Sequence, residues 1–177
     1  EEIREIICLS ADTCDKLHDY FIEHEMYRDN MLFCLALESS ARKNELLQVE
    51  KNSIKEDKNN FSKLLNDTEG FNKLLNKLKK EENEDNQGKR GKKFALIYFN
   101  WTKEAARLYL EERGEDGEPL LFVTKDKTPL SGMALYEMVV NWRPILKEIT
   151  GDDIEINIHS LRHTALQLYS TGEHEVC

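Results

Sequence analysis

Apolar residues recur at helical spacing along much of this 177-residue chain. Leu17, Phe21 and Tyr20 form one stripe, and Ser10 stands where an N-cap belongs, so the pattern predicts a helix through Thr13–Ile22. Asp29 or Asn30 opens a second helix carrying Leu32, Phe33, Leu35, Ala36 and Leu37. At Ser39-Ser40 the chain turns and re-enters a helix with Arg42, Glu45, Leu46 and Val49. Further on, Phe94–Phe99 is a short apolar run that reads as a strand, Thr102–Arg113 is helical, and Leu120–Val123 is a buried extended piece. Ser131 caps a long helix through Met138, Val139, Trp142 and Leu146, bent at Pro144, and a final helix starts near His159. The predicted fold class is mostly α with a small antiparallel β-sheet.

One stretch breaks the pattern. Phe61-Ser62-Lys63-Leu64-Leu65-Asn66 returns as Phe71-Asn72-Lys73-Leu74-Leu75-Asn76, and two copies are too few for a solenoid. Residues 56–87 therefore read as an atypical amphipathic insertion, ending in the polar run Glu81–Gln87, a mobile loop. No Pro/Gly/Ser-rich linker divides the chain, so residues 1–177 are predicted to form one domain.

Composition narrows the class. Hydrophobic residues at 40% suit a globular core, and 33% charged residues suit helices with solvated faces. No apolar run approaches the ~18 residues of a membrane span, and Glu1-Glu2-Ile3-Arg4-Glu5 lacks the character of a secretory signal. Cys8, Cys14, Cys34 and Cys177 form no metal-like spacing, and Cys34 in an apolar run reads as a small buried thiol. A cytoplasmic setting is the expectation. The net charge of −9 opposes a nucleic-acid partner until it is located. Residues 1–30 hold nine acids against three bases, whereas Lys89, Arg90, Lys92 and Lys93 make a basic stretch. A phosphate backbone responds to the local patch rather than to the total.

Candidate chemistry gathers near the end of the chain, in His159-Ser160-Leu161-Arg162-His163-Thr164. His159 and Arg162, three apart, share one helix face and pair a proton-transfer group with a cationic fork. Far upstream, Ser40-Ala41-Arg42-Lys43-Asn44-Glu45-Leu46 supplies a second arginine. A lone arginine on a helix is ordinarily a surface charge. His159 and His163 have the spacing of a zinc pair, but Ser160 stands where a catalytic glutamate would follow, and no metal is predicted.

These segments, in this order, resemble the catalytic domain of the tyrosine recombinases, or phage integrases. The arginine helix is there, with Ser40 in place of the usual glycine. So are the basic hairpin (Gly88–Tyr98), the Leu121-Phe122 strand, the Pro129-Leu130-Ser131 helix start and the H-x-L-R-H-T helix. The resemblance covers nearly the whole chain. It implies site-specific DNA cleavage and rejoining through a 3′-phosphotyrosyl intermediate, with no metal or nucleotide cofactor. Arg42 and Arg162 would stabilise the charge on the pentacovalent phosphorus. Lys89, with Lys92 as the alternative, would protonate the leaving oxygen, and His159 would handle the tyrosine proton. Glu45 would orient Arg42 or the neighbouring histidine, while Arg90, Lys92 and Lys93 would contact DNA.

Further implications are double-stranded DNA as partner, assembly into a tetramer at synapsis, no membrane, and a bacterial or phage mobile element as source. The family's nucleophile lies some thirty residues past the second arginine, and Cys177 comes fifteen after Arg162. The fragment is therefore expected to lack its nucleophile and to be inactive alone. Tyr169 is expected to pack inward with Leu166 and Leu168. The alternative is a non-catalytic helical DNA- or protein-binding domain with a degenerate recombinase fold, which the acidic total favours.

Overall fold

The centre of the molecule is a helix buried almost all round. The computed structural model describes residues 7–55 and 96–171, and within them α2 (Tyr27–Ser39) has every residue from Asn30 to Glu38 buried. A helix apolar on all sides needs neighbours on all sides. α1 (Ala11–Glu23), α5 (Asn100–Arg113) and α8 (Ile158–Thr171) provide them. Ser10 caps α1 as its position predicts, its Oγ accepting from the Thr13 N–H at 3.1 Å. Cys14, Leu17 and Phe21 then form the buried stripe. Phe21, Phe33 and Trp142 meet with ring centroids 5.1–5.9 Å apart. The Trp142 indole donates to Asp29 Oδ2 at 2.8 Å, satisfying its one polar atom.

Several boundaries differ from the sequence pattern. α2 starts at Tyr27, before Asp29 and Asn30. The helix after Ser40 is short, α3 (Lys43–Leu47), and Val49 falls beyond it, before α4 (Lys51–Lys55). The long helix from Ser131 is two helices, α6 (Gly132–Val140) and α7 (Arg143–Thr150). Pro144 lies in the first turn of α7, where its missing N–H costs nothing; it starts a helix rather than bending one.

Among the described residues there is no sheet. Two isolated antiparallel bridges, Glu50 with Leu120 and Val123 with Pro129, stand in its place. The reasons are local. The Phe99 N–H donates to the Glu38 carboxylate at 3.1 Å instead of to a strand, and Pro129 has no N–H to extend its ladder. Phe94 and Ala95, the insertion at 56–87 and the basic stretch lie outside the described residues. One apolar core runs through the eight described helices except α3's exposed face, and Cys34 sits in it at 0% exposure. Burial pushes the Cys34 thiol well above its ordinary pKa, so it stays protonated. No described helix is long and apolar enough to cross a membrane.

Candidate functional site

The residues around Arg42 are set by how α2 ends. Ser40 adopts the left-handed conformation (φ 52°, ψ 28°), and its N–H returns to the Ala36 carbonyl. Ser39 Oγ donates to the Leu35 carbonyl at 2.6 Å and accepts from the Ala41 N–H at 3.2 Å. The chain thus reverses in two residues and delivers Arg42 in extended conformation at the head of α3. Glu45 Oε1 accepts from the Arg42 main-chain N–H at 2.8 Å. This is half of a capping box; a guanidinium is donor-only and cannot return the bond. Glu45 thereby holds the backbone of Arg42. The Arg42 side chain is exposed. Buried Leu46 anchors α3, whose Lys43 and Leu47 lie against Gly132 at the start of α6.

The second segment is built with equal care. Asn157 Oδ1 accepts from the Ser160 N–H at 3.0 Å, and Ser160 Oγ accepts from the Asn157 N–H at 3.1 Å, a reciprocal cap that starts α8 at Ile158. Arg143 Nε donates to the Ile156 carbonyl at 3.0 Å and fixes the approach to that cap. Thr164 Oγ1 donates to the Ser160 carbonyl at 2.8 Å and accepts from the Leu9 N–H at 3.0 Å. Leu161, Ala165 and Leu168 are buried, which leaves His159 exposed and Arg162 and His163 half-buried. The His159 and His163 rings meet edge-on at 4.7 Å. Among the described residues, no group of three or more His, Cys, Asp or Glu side chains is placed to hold a metal ion.

Both arginine-bearing elements share a neighbour, because α3 and α8 each pack on α6. α8 also packs along α2, where the Tyr169 hydroxyl donates to the Glu38 carbonyl. Tyr169 follows Arg162 by seven residues, so the two differ by roughly 20° around the helix and about 10 Å along it. Tyr169 and Arg162 thus share one flank of α8, about two turns apart. Leu166, expected to pack inward beside Tyr169, is 45% exposed instead. Lys89, Arg90, Lys92 and Lys93 lie outside the described residues.

Glu38 is the residue that sequence reasoning missed. Its Oε1 accepts from the Phe99 N–H at 3.1 Å, the Thr102 N–H at 2.7 Å and the Thr102 hydroxyl at 2.5 Å. It caps the N-terminus of α5 from another helix, where a carboxylate also meets the favourable end of the helix dipole. The signal was present: an acid closing the apolar run Met31–Leu37 is buried, and a buried carboxylate needs donors. A cleft of about 350 Å³ lies at the opposite end of α2, bordered by Arg28, Tyr109, Arg113 and Lys127, and includes none of the predicted site residues. Comparison with protein-family models, curated proteins and solved structures returns no match for this chain.

Proposed function

We propose that this chain is the catalytic domain of a tyrosine-type site-specific DNA recombinase, acting on double-stranded DNA through a 3′-phosphotyrosyl intermediate. The observation that carries the reading is the ordered pair Arg42 and Arg162 within their motifs, on elements that both pack on α6. Ser40 adds support: it stands where the resembled family has glycine, and it adopts the conformation that glycine suits.

In the mechanism proposed, Arg42 and Arg162 donate to the two non-bridging oxygens of one phosphodiester. Their fixed charge stabilises the pentacovalent state more than the ground state. His159, exposed one turn before Arg162, takes the proton from the attacking tyrosine. Lys89 or Lys92 gives a proton to the leaving 5′ oxygen. The attacking tyrosine is not assigned to any described residue, since Tyr169 is engaged with Glu38.

The test is a nicked suicide duplex offered to the protein that carries both the arginines and the attacking tyrosine. Covalent attachment is the expected result. Arg42→Ala and Arg162→Ala should each slow it by about 10²–10³-fold. Attachment at the unaltered rate in either variant rejects the assignment. The second reading, a non-catalytic DNA- or protein-binding domain of related fold, is favoured by the net charge of −9. Binding without attachment would support it.

A further inference from the structure

We propose that Tyr169 is a positioning residue: its hydroxyl, held on the Glu38 carbonyl, sets the rotation of α8 that aims Arg162 at the phosphate bound by Arg42. The inference rests on the two-arginine reading above and adds a part that the resemblance does not supply. Three observations carry it.

First, the bond closes at a place where a helix leaves carbonyls without partners. α2 ends at Ser39, and the Arg42 N–H that would otherwise return to Glu38 is turned to the Glu45 carboxylate. The Tyr169 hydroxyl donates to that carbonyl across 131 residues of sequence. Second, Tyr169 lies on the flank of α8 that carries Arg162, about two turns further on, so a rotation of α8 that moved one side chain would move the other. Two other bonds on α8, Thr164 with Leu9 and Asn157 with Ser160, lie on its buried side and at its start. Third, the bonded carbonyl belongs to Glu38, four residues before Arg42, and the same residue's carboxylate holds Phe99 and Thr102 at the head of α5. One residue thus ties together the two elements bearing the arginines and the helix that follows the basic stretch.

The test uses the full chain with ¹⁵N-labelled arginine, titrated with inorganic phosphate while the side-chain Nε–H signals are followed by NMR. Arg42→Lys and Arg162→Lys identify the two signals. In the unaltered chain, Arg42 and Arg162 should move together on one saturation curve. Tyr169→Phe, which removes only the hydroxyl, should weaken the apparent affinity about tenfold, and replacing Tyr169 by 4-aminophenylalanine, which keeps a donor at that point, should restore it. A tyrosine that merely stabilises the fold would lower the melting temperature of Tyr169→Phe and leave the phosphate curve within twofold of the original; that result overturns the proposal. Should the phenylalanine variant fail to fold, the aminophenylalanine chain decides alone, since a folded protein with lost affinity also overturns it. If neither arginine responds in the unaltered chain, the phosphate reading fails and this inference falls with it, a result distinct from a response that Tyr169→Phe leaves intact.

Discussion

Arg113 and Arg162 occupy two helices of the same length and lead opposite lives. Arg113, at the end of α5, has its side chain 1% exposed and its fork filled by the protein itself. Nε and Nη2 bond the two Asp116 oxygens at 2.7 Å, Nη1 reaches the Leu120 and Leu121 carbonyls, and Nη2 also reaches Glu118. Lys51 joins at Asp116 from α4. Arg162 is half-buried and Arg42 exposed, and among the described residues neither guanidinium makes a hydrogen bond or ion pair. The comparison separates two uses of one functional group. A fork that folds back on the chain's own carbonyls stabilises a loop, and its donors are occupied. A fork whose backbone is fixed while its tip stays open can serve a ligand.

The comparison breaks most clearly at Arg113. Arg113→Ala removes a donor from each of three carbonyls and from a carboxylate, and should cost about 3 kcal/mol or more of stability in urea unfolding at neutral pH. A loss below about 1 kcal/mol would mean that the loop finds other donors. Acid titration sharpens the point. Hydrogen bonding to Arg113 holds the Asp116 carboxyl well below the usual carboxylate range, so its contribution is present above the unfolded value near ~4 and fades as pH falls further. Asp29 runs the other way: desolvation raises its pKa, so protonating it favours the folded state as pH falls. Asp116→Asn should therefore flatten the loss of stability below about pH 4, and an unchanged acid limb would contradict the pairing.

Smaller effects are expected on the Arg42 side. Ser40→Gly relieves the left-handed serine and should stabilise the protein by about 1 kcal/mol, read as a shift in urea midpoint at constant slope. A destabilised variant would show that the Ser40 side chain has a role the backbone does not reveal. Arg42→Ala should change stability by less than about 0.5 kcal/mol, as for an exposed side chain without partners among the described residues. A larger loss would move Arg42 into the company of Arg113.

What the sequence made legible were features that depend on a few neighbouring residues. The Ser10 and Ser131 caps follow from one hydroxyl and the N–H three residues on. The apolar stripe of α1 and the start of α8 near His159 follow from periodicity. Among the described residues the sheet expected from the strand composition of Phe94–Phe99 and Leu120–Val123 is absent, since the Phe99 N–H goes to a carboxylate 61 residues away. Pro144 was read as a bend because its ring was visible and the break between Val140 and Arg143 was not. Arg113 passed as one charge within the acidic run Glu111–Glu118, although its spacing to Asp116, between Gly114 and Gly117, is that of an arginine folding over a turn. Residue type and motif singled out Arg42 and Arg162 as candidates. The contacts of Glu38 and Tyr169 were not legible, since neither residue belongs to the motif.

Glu38's grip on the first turn of α5 bears on how this chain tolerates change in length. In the chain, residues 56–95 follow α4, which packs on α5, and precede Phe99 at that grip. Both flanks are held by contacts among the described residues. Closing a longer loop across fixed ends adds only about 0.6 kcal/mol for each doubling. Lengthening or trimming the sequence between residues 56 and 95 should leave the described helices where they are, which makes it the natural place for such a scaffold to acquire new sequence.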